Sequence, residues 1–272
     1  MELKQLFSQF VRTLADAEHI DDIHLADDDT TPNRKKADYF FDSKNIICEQ
    51  KSLDADMLAK VEKEVSDIVA NSRFRLYGTL SVDKLLDRID TSGALQKKVF
   101  DRLTKSVAGN FETAHAQIRA TKERFELPQS KGVLLILNEA SFFLSPSILM
   151  RKVSEMFNKR TPQGELRYRE ISAVWIILFS HQRRSPNGIS EIPSIKLLNN
   201  VGASESDLKY VFACLERLDR EFAKFLKLPY HTGMVEITDF NPKVMPSIKI
   251  QQEQSSEIKL PRKKDVADDH NT

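Results

Sequence analysis

The hydrophobic positions of this chain follow two different periods, one typical of helices and one typical of strands. Two near-continuous apolar runs, at Lys131–Asn138 and at residues 173–180, indicate strands buried on both faces, as in a parallel sheet. Between them, residues 146–158 have helical spacing, with Ser145 as the N-cap and Pro146 at the first helical position. A strand, a helix and a strand in this order predict a right-handed parallel crossover.

Helical spacing also covers long stretches outside this crossover. An amphipathic helix is predicted over residues 2–19 and another over residues 206–226. Residues 54–127 have helical spacing as well, which is too long for one crossover helix, so we expect a helical insertion at 54–109 and a final helix at 110–125. The other expected elements are short strands at 22–25, 234–237 and 247–250, and a polar, disordered tail at 251–272.

Before the insertion, residues 36–41 and 45–52 predict two strands joined by a tight turn. Side chains in a strand alternate between the two faces of the sheet. Asp38 therefore shares a face with Phe40, while Glu49 and Lys51 share a face with Ile47. If the hairpin pairs in this way, two carboxylates and one ammonium group lie on the same side of the sheet.

Charged groups in so apolar a hairpin indicate a specific chemistry, because a buried charge is costly unless it is paired or binds a metal. Two carboxylates suit a hard divalent cation such as Mg²⁺, which takes one or two protein ligands and keeps water for the rest. Such an ion activates water, and a lysine beside it can orient or deprotonate that water. The alternative is a solvated sheet face that carries a cross-strand salt bridge.

Asp38, followed by ten intervening residues and then Glu49-Gln50-Lys51 on the next strand, resembles the PD-(D/E)xK nuclease superfamily. The resemblance implies a Mg²⁺- or Mn²⁺-dependent nuclease that hydrolyses phosphodiester bonds, with Asp38 and Glu49 as metal ligands and Lys51 as the catalytic lysine. One departure from the family pattern is Ala37, which stands where many members have proline.

The order of elements is also similar to that family's restriction-endonuclease-like fold. The expected fold class is α/β, with a mixed central sheet and flanking helices, and with a nuclease-like core formed by residues 1–53 and 110–250. In that fold the helix after the lysine strand packs beside the site and contributes a polar residue to it. Gln117 is the first candidate for that residue and Arg119 the second.

Composition restricts the partners and the compartment. The 272 residues include 41 basic and 40 acidic side chains, a net charge of +1, so overall charge does not indicate a nucleic-acid binder. Contacts with DNA, the partner that the resemblance implies, then require local clusters of basic residues; the candidates are Arg34, Lys35, Lys36, Lys159, Arg160, Arg167, Arg169, His181, Arg183 and Arg184. No signal peptide, membrane-length apolar run or disulfide pattern is present in the sequence, which predicts a cytoplasmic protein without a membrane partner.

Two other functions fit the same pattern. In the first alternative, the chain is a catalytically silent module of the same fold, which binds nucleic acid or a protein through its helical insertion. Alternatively, it is a subunit of a restriction or phage-defence assembly, in which the insertion forms an oligomer interface, including one between identical chains.

Overall fold

The structure is a computed structural model that describes residues 2–24, 35–53, 67, 79–81, 94–139, 141, 144–181, 183–184, 190–228 and 257–259. Its helices are α1 (Leu3–Val11), α2 (Ala94–Leu103), α3 (Lys105–Arg124), α4 (Pro146–Phe157) and α5 (Glu205–Phe225). Its strands are β1 (Glu18–His19), β2 (Tyr39–Phe41), β3 (Ile46–Leu53), β4 (Thr79–Ser81), β5 (Lys131–Asn138), β6 (Ile171–Leu178), β7 (Arg183–Arg184), β8 (Ser190–Glu191), β9 (Ser194–Leu198) and β10 (Glu257–Lys259).

Six of the strands form one mixed sheet in the order β1-β2-β3-β5-β6-β9. The central strands β3, β5 and β6 are parallel, whereas β1, β2 and β9 join the sheet in antiparallel pairs. Helices cover both faces, so the predicted α/β class with a mixed central sheet and flanking helices is confirmed.

Alternation along the central strands divides the core into two clusters. In β5, Leu134 and Ile136 face α2, α3 and α4, whereas Val133 and Leu135 face α1 and α5. The runs are apolar at every position because both faces are covered. The hairpin obeys the same rule, and Ile47 lies on the face that α3 covers.

The predicted unit of two parallel strands joined by a helix is confirmed, and its right-handedness stays a prediction. Strands β5 and β6 pair in parallel, and α4 lies between them in the chain. Ser145 is the N-cap, since its hydroxyl accepts a hydrogen bond from the backbone N–H of Ile148 at 3.4 Å, and Pro146 begins the helix.

The first helix is shorter than predicted and ends at Val11 instead of residue 19. Local and tertiary contacts stop it: the Thr13 hydroxyl donates to the carbonyl of Phe10 at 2.7 Å, and the Arg12 guanidinium pairs with Asp22 at 2.8 Å. The chain then enters β1, and Ile20–Asp22 forms a 3-10 turn, so the predicted strand at 22–25 is wrong at its first residues.

A second, two-stranded sheet joins two short segments far apart in the chain. Residues 79–81, within the expected helical insertion, and residues 257–259, within the expected tail, pair as the antiparallel strands β4 and β10. Leu80 and Ile258 are register partners at the centre of this pair. The strands predicted at 234–237 and 247–250 lie outside the described residues, and the domain boundaries stay predictions. In the part of the chain that the structure describes, no helix is long and apolar enough to cross a bilayer.

Candidate active site

The candidate site lies on the face of the hairpin that α3 covers, toward the carboxyl end of β3. The hairpin pairs Tyr39 with Cys48 and Phe40 with Ile47, so Asp38 comes directly before the paired part of β2. The turn opposite the site contains three consecutive residues in the left-handed region: Asp42, Ser43 and Lys44, at φ angles of 50°, 52° and 73°. This turn fixes the register that brings Asp38 beside β3.

Asp38 is held by the backbone of β3. Its N–H donates to the carbonyl of Cys48 at 3.1 Å, and its Oδ2 accepts from the N–H of Gln50 at 2.7 Å. Burial raises the pKa of Asp38, against the opposing effects of the Gln50 N–H and of the charges on Lys4 and Lys51. The Asp38 carboxylate is therefore held against β3, beside the acidic residue of that strand.

That residue, Glu49, is only 1% exposed. One of its oxygens pairs with the ammonium group of Lys51, and the other, Oε2, is buried without a hydrogen-bond partner. Burial, followed by the negative charge of Asp38, raises the pKa of Glu49 to about 8, against the opposing effect of Lys51. Asp38 and Glu49 thus form a pair of adjacent carboxyl groups that cannot both ionise freely without another cation.

Lys51 and Gln117 connect the hairpin with α3. The Lys51 ammonium group donates to Gln117 Oε1 at 3.0 Å, and Gln117 Nε2 donates to the carbonyl of Lys36 at 2.9 Å. One turn further along α3, the Thr121 hydroxyl accepts from the N–H of Ala37 at 2.8 Å. Positions 117 and 121 lie on one side of the helix, and together they fix both the segment before Asp38 and the lysine of β3.

The structure therefore brings together all four side chains that the sequence singled out: Asp38, Glu49, Lys51 and Gln117. It does not bring in the second candidate from α3, since Arg119 is exposed and lies 3.8 Å from Glu123. Arg167, expected to contact phosphate, pairs with Glu112 at 2.7 Å.

The two adjacent carboxyl groups of the site suit a divalent cation. Glu49 Oε2 is a buried carboxylate oxygen without a hydrogen-bond partner, and the Asp38 carboxyl group lies beside it. In the described residues, no group of three or more His, Cys, Asp or Glu side chains is arranged to hold a metal. An ion bound here would thus take two carboxylates and complete its shell with water, as Mg²⁺ commonly does.

A second cluster with the same three residue types provides a comparison. Between β9 and α5, the buried Lys196 ammonium group lies 2.7 Å from Glu216 Oε1 and 2.5 Å from Asp219 Oδ2. This lysine bridges both acids, so each acid has its counter-charge within the protein. At the candidate site Lys51 pairs with Glu49 and Gln117, which leaves a carboxylate oxygen without a partner.

Sequence analysis missed the residues that complete the surroundings of the site. Thr121 binds the backbone before Asp38, and its position four residues after Gln117 was the available signal. The charge of Lys4 reaches Asp38 from α1, across a sequence separation that no local pattern records.

Comparisons of the chain with protein-family models, with curated proteins and with solved structures find no match. Function is therefore inferred from the geometry of the site and from the resemblance of its motif.

Proposed function

We propose that the protein is a Mg²⁺- or Mn²⁺-dependent nuclease that hydrolyses phosphodiester bonds in DNA. Asp38 and Glu49 hold the metal, Lys51 assists the attacking water, and Gln117 positions Lys51. The restriction-endonuclease-like identity of the core belongs to the same proposal, as does DNA rather than RNA as the substrate, and both follow from the resemblance.

The observation that carries the proposal is the unpartnered Oε2 of Glu49 beside the Asp38 carboxyl group. Two buried carboxyl groups side by side share a proton in the metal-free protein, and both can ionise when a cation lies between them. The Lys196 cluster shows that this chain can satisfy two acids with one lysine. At the candidate site Lys51 pairs with Glu49 and does not bridge both acids, which supports a role for a cation that comes from solution.

Each side chain then has a role that follows from its contacts. Asp38 and Glu49 present oxygen ligands from two neighbouring strands, and the Gln50 N–H orients Asp38. A bound divalent ion would supply Lewis-acid stabilisation of the charge on phosphate and an acidified water. The Lys51 ammonium group, which Gln117 holds in place, would bind the attacking water or a phosphate oxygen.

The decisive experiment is cleavage of plasmid, linear and single-stranded DNA in Mg²⁺, in Mn²⁺ and in EDTA. We expect cleavage that requires the metal, and we expect Lys51→Ala to lower the rate by roughly 10²–10⁴-fold, the usual contribution of a positioned acid–base group. The matched control is Lys209→Ala, which removes an exposed lysine of α5 that lies outside the site. Circular dichroism spectra should show that both variants fold.

The same experiment separates the rival functions. Full activity of Lys51→Ala in Mg²⁺ would remove Lys51 from the mechanism. Binding of DNA without metal-dependent cutting would favour the silent binding module. Cutting that appears only after other proteins are added, together with a multimer in light scattering, would favour the subunit of a larger assembly.

A further inference from the structure

The first turn of α1 lies at the same edge of the sheet as the candidate site. Leu3 is buried against the sheet, and its N–H donates to Glu139 Oε1 at 2.5 Å. Glu139 directly follows Asn138, and Asn138 pairs with Leu53 at the end of β3. Leu53 is two residues beyond Lys51, a rise of about 7 Å along a strand. Lys4, the next residue of α1, is thus carried on the rim of the site.

Lys4 differs from most of the other lysines around the sheet in having no fixed counter-ion. Its side chain is exposed, and none of the carboxylates in the described ranges lies within ion-pair distance of it. Its charge nevertheless reaches the site: after burial and the Gln50 N–H, it is the next influence on the pKa of Asp38, which it lowers. An exposed ammonium group on the rim is free to contact a ligand that approaches from solvent.

The charge balance of the site gives this position a consequence. The charge of Lys51 acts on both acids, Asp38 and Glu49, and that of Lys4 acts on Asp38, so the four side chains are close to neutral when ionised. Neutralisation of both acids by a divalent ion leaves the two ammonium groups without counter-charge. The edge of the sheet then carries net positive charge, and a phosphodiester backbone has the complementary charge.

We propose that Lys4 binds a backbone phosphate of the DNA substrate adjacent to the scissile one, and that it is a substrate-binding residue with no part in the chemical step. The inference rests on the proposed function and adds to it the path of the DNA strand into the site, across the first turn of α1. Lys51 acts at the scissile phosphate, while Lys4 holds its neighbour.

The test is binding of a fluorescent DNA duplex by anisotropy, in Ca²⁺ as a hard oxygen-seeking ion, as a function of salt concentration. Removal of one phosphate contact should reduce the slope of log K against log [salt] by about 0.9. Lys4→Gln should therefore bind roughly eightfold more weakly than wild type at 0.1 M salt, and the difference should vanish on extrapolation to 1 M. Lys4→Arg, which keeps the charge, should restore most of the slope.

Lys209→Gln is the matched control, because it removes an exposed lysine from the first turns of α5, where Asp207 pairs with Lys131 at the start of β5 and so at the other end of that strand from Asn138. It should leave the slope unchanged. Under Mg²⁺, Lys4→Gln should raise KM and leave kcat near the wild-type value. A wild-type slope in Lys4→Gln, with wild-type cleavage intact, overturns the inference and leaves the nuclease proposal standing. A wild type that neither binds nor cuts DNA overturns both.

Discussion

At the scale of single residues, Glu49 determines how the site responds to pH. Its pKa is raised from 4.5 to about 8 by burial and by Asp38. Below pH 4.5 the carboxyl group is protonated in the folded and the unfolded chain alike. Between these two values the unfolded chain releases its proton while the folded protein retains it, so the free energy of unfolding falls as the pH rises.

Glu49→Gln should therefore remove this pH dependence in metal-free protein. We expect the variant to match wild type near pH 5 and to be more stable at pH 8 by an amount on the order of a few kcal/mol, because the amide stays neutral. Urea unfolding in EDTA at several pH values measures the difference. A wild-type pH profile in the variant would show that Glu49 is ionised in the folded protein.

Glu170 supplies a control of opposite sign. Although burial raises the pKa of Glu170, the hydrogen bond and charge of Lys122 lower it by more. Its contribution to stability is present above pH 4.5 and is lost as the pH falls through the lower folded value. Glu170→Gln should thus destabilise the protein at pH 7 and have less effect at low pH.

Strand alternation was enough to predict the convergence of the four central side chains. The hairpin pattern placed Asp38, Glu49 and Lys51 on one face, and helical spacing placed Gln117 on the helix that follows. The different surroundings of Asp38 and Glu49, in burial and in hydrogen bonding, could not be predicted from the sequence. It depends on which carboxyl group is covered by α3 and which accepts the N–H of Gln50, and both contacts are tertiary.

At the scale of elements, the position of α3 depends on a close approach at Gly132. A Cβ at this residue would lie 2.0 Å from the carbonyl oxygen of Glu170 and 2.7 Å from Cγ2 of Ile118. The backbone before β6 cannot yield without disturbing the sheet, and Ile118 belongs to the helix that carries Gln117. The absence of a side chain at Gly132 therefore allows the close packing of β5, the backbone before β6 and α3.

Gly132→Ala should destabilise the protein by about 3 kcal/mol, near the upper end of overpacking costs. Because α3 must move, cleavage should also weaken in the fraction that folds. The control is Gly109→Ala in the same helix, where an added Cβ meets nothing within 4 Å and should stabilise the protein by roughly 0.5–1 kcal/mol. Thermal unfolding of both variants measures the contrast, and equal stabilities would contradict the close approach.

The sequence predicted best those elements whose signals are local. Apolar runs and a proline after an N-cap serine identified β5, β6 and α4. The end of α1 was wrong because Arg12 pairs with Asp22 outside the helix and the Thr13 hydroxyl bonds back to the carbonyl of Phe10. The pairing of β4 with β10 joins segments more than half the chain apart, which periodicity does not reveal.

At the scale of the whole molecule, ion binding and folding are linked. A ligand that binds only the folded chain stabilises it by about 2.7 kcal/mol at a concentration 100 times its Kd. The wild-type Tm should therefore rise with Mg²⁺ or Mn²⁺ in a differential scanning fluorimetry titration, whereas Asp38→Asn should show no rise.

Asp219→Asn is the natural comparison for that titration. It removes one acid from the Lys196 cluster, where both acids already have a counter-charge. We expect a lower starting Tm, because a buried lysine loses one partner, but the same rise with metal as in wild type. Loss of the rise in both variants would mean that the ion acts on the fold in general.

The tight turn between β2 and β3 has a consequence for how this protein can vary. Ten residues separate Asp38 from Glu49, and they run down one strand, through three left-handed residues and back up the next. Because the strand repeat is two residues, a single insertion or deletion reverses the parity of every position beyond it. The carboxyl group of residue 49 and the ammonium group of residue 51 would then exchange places with the apolar packing of α1. The number of residues in this turn is thus constrained, whereas its exposed residues can be substituted.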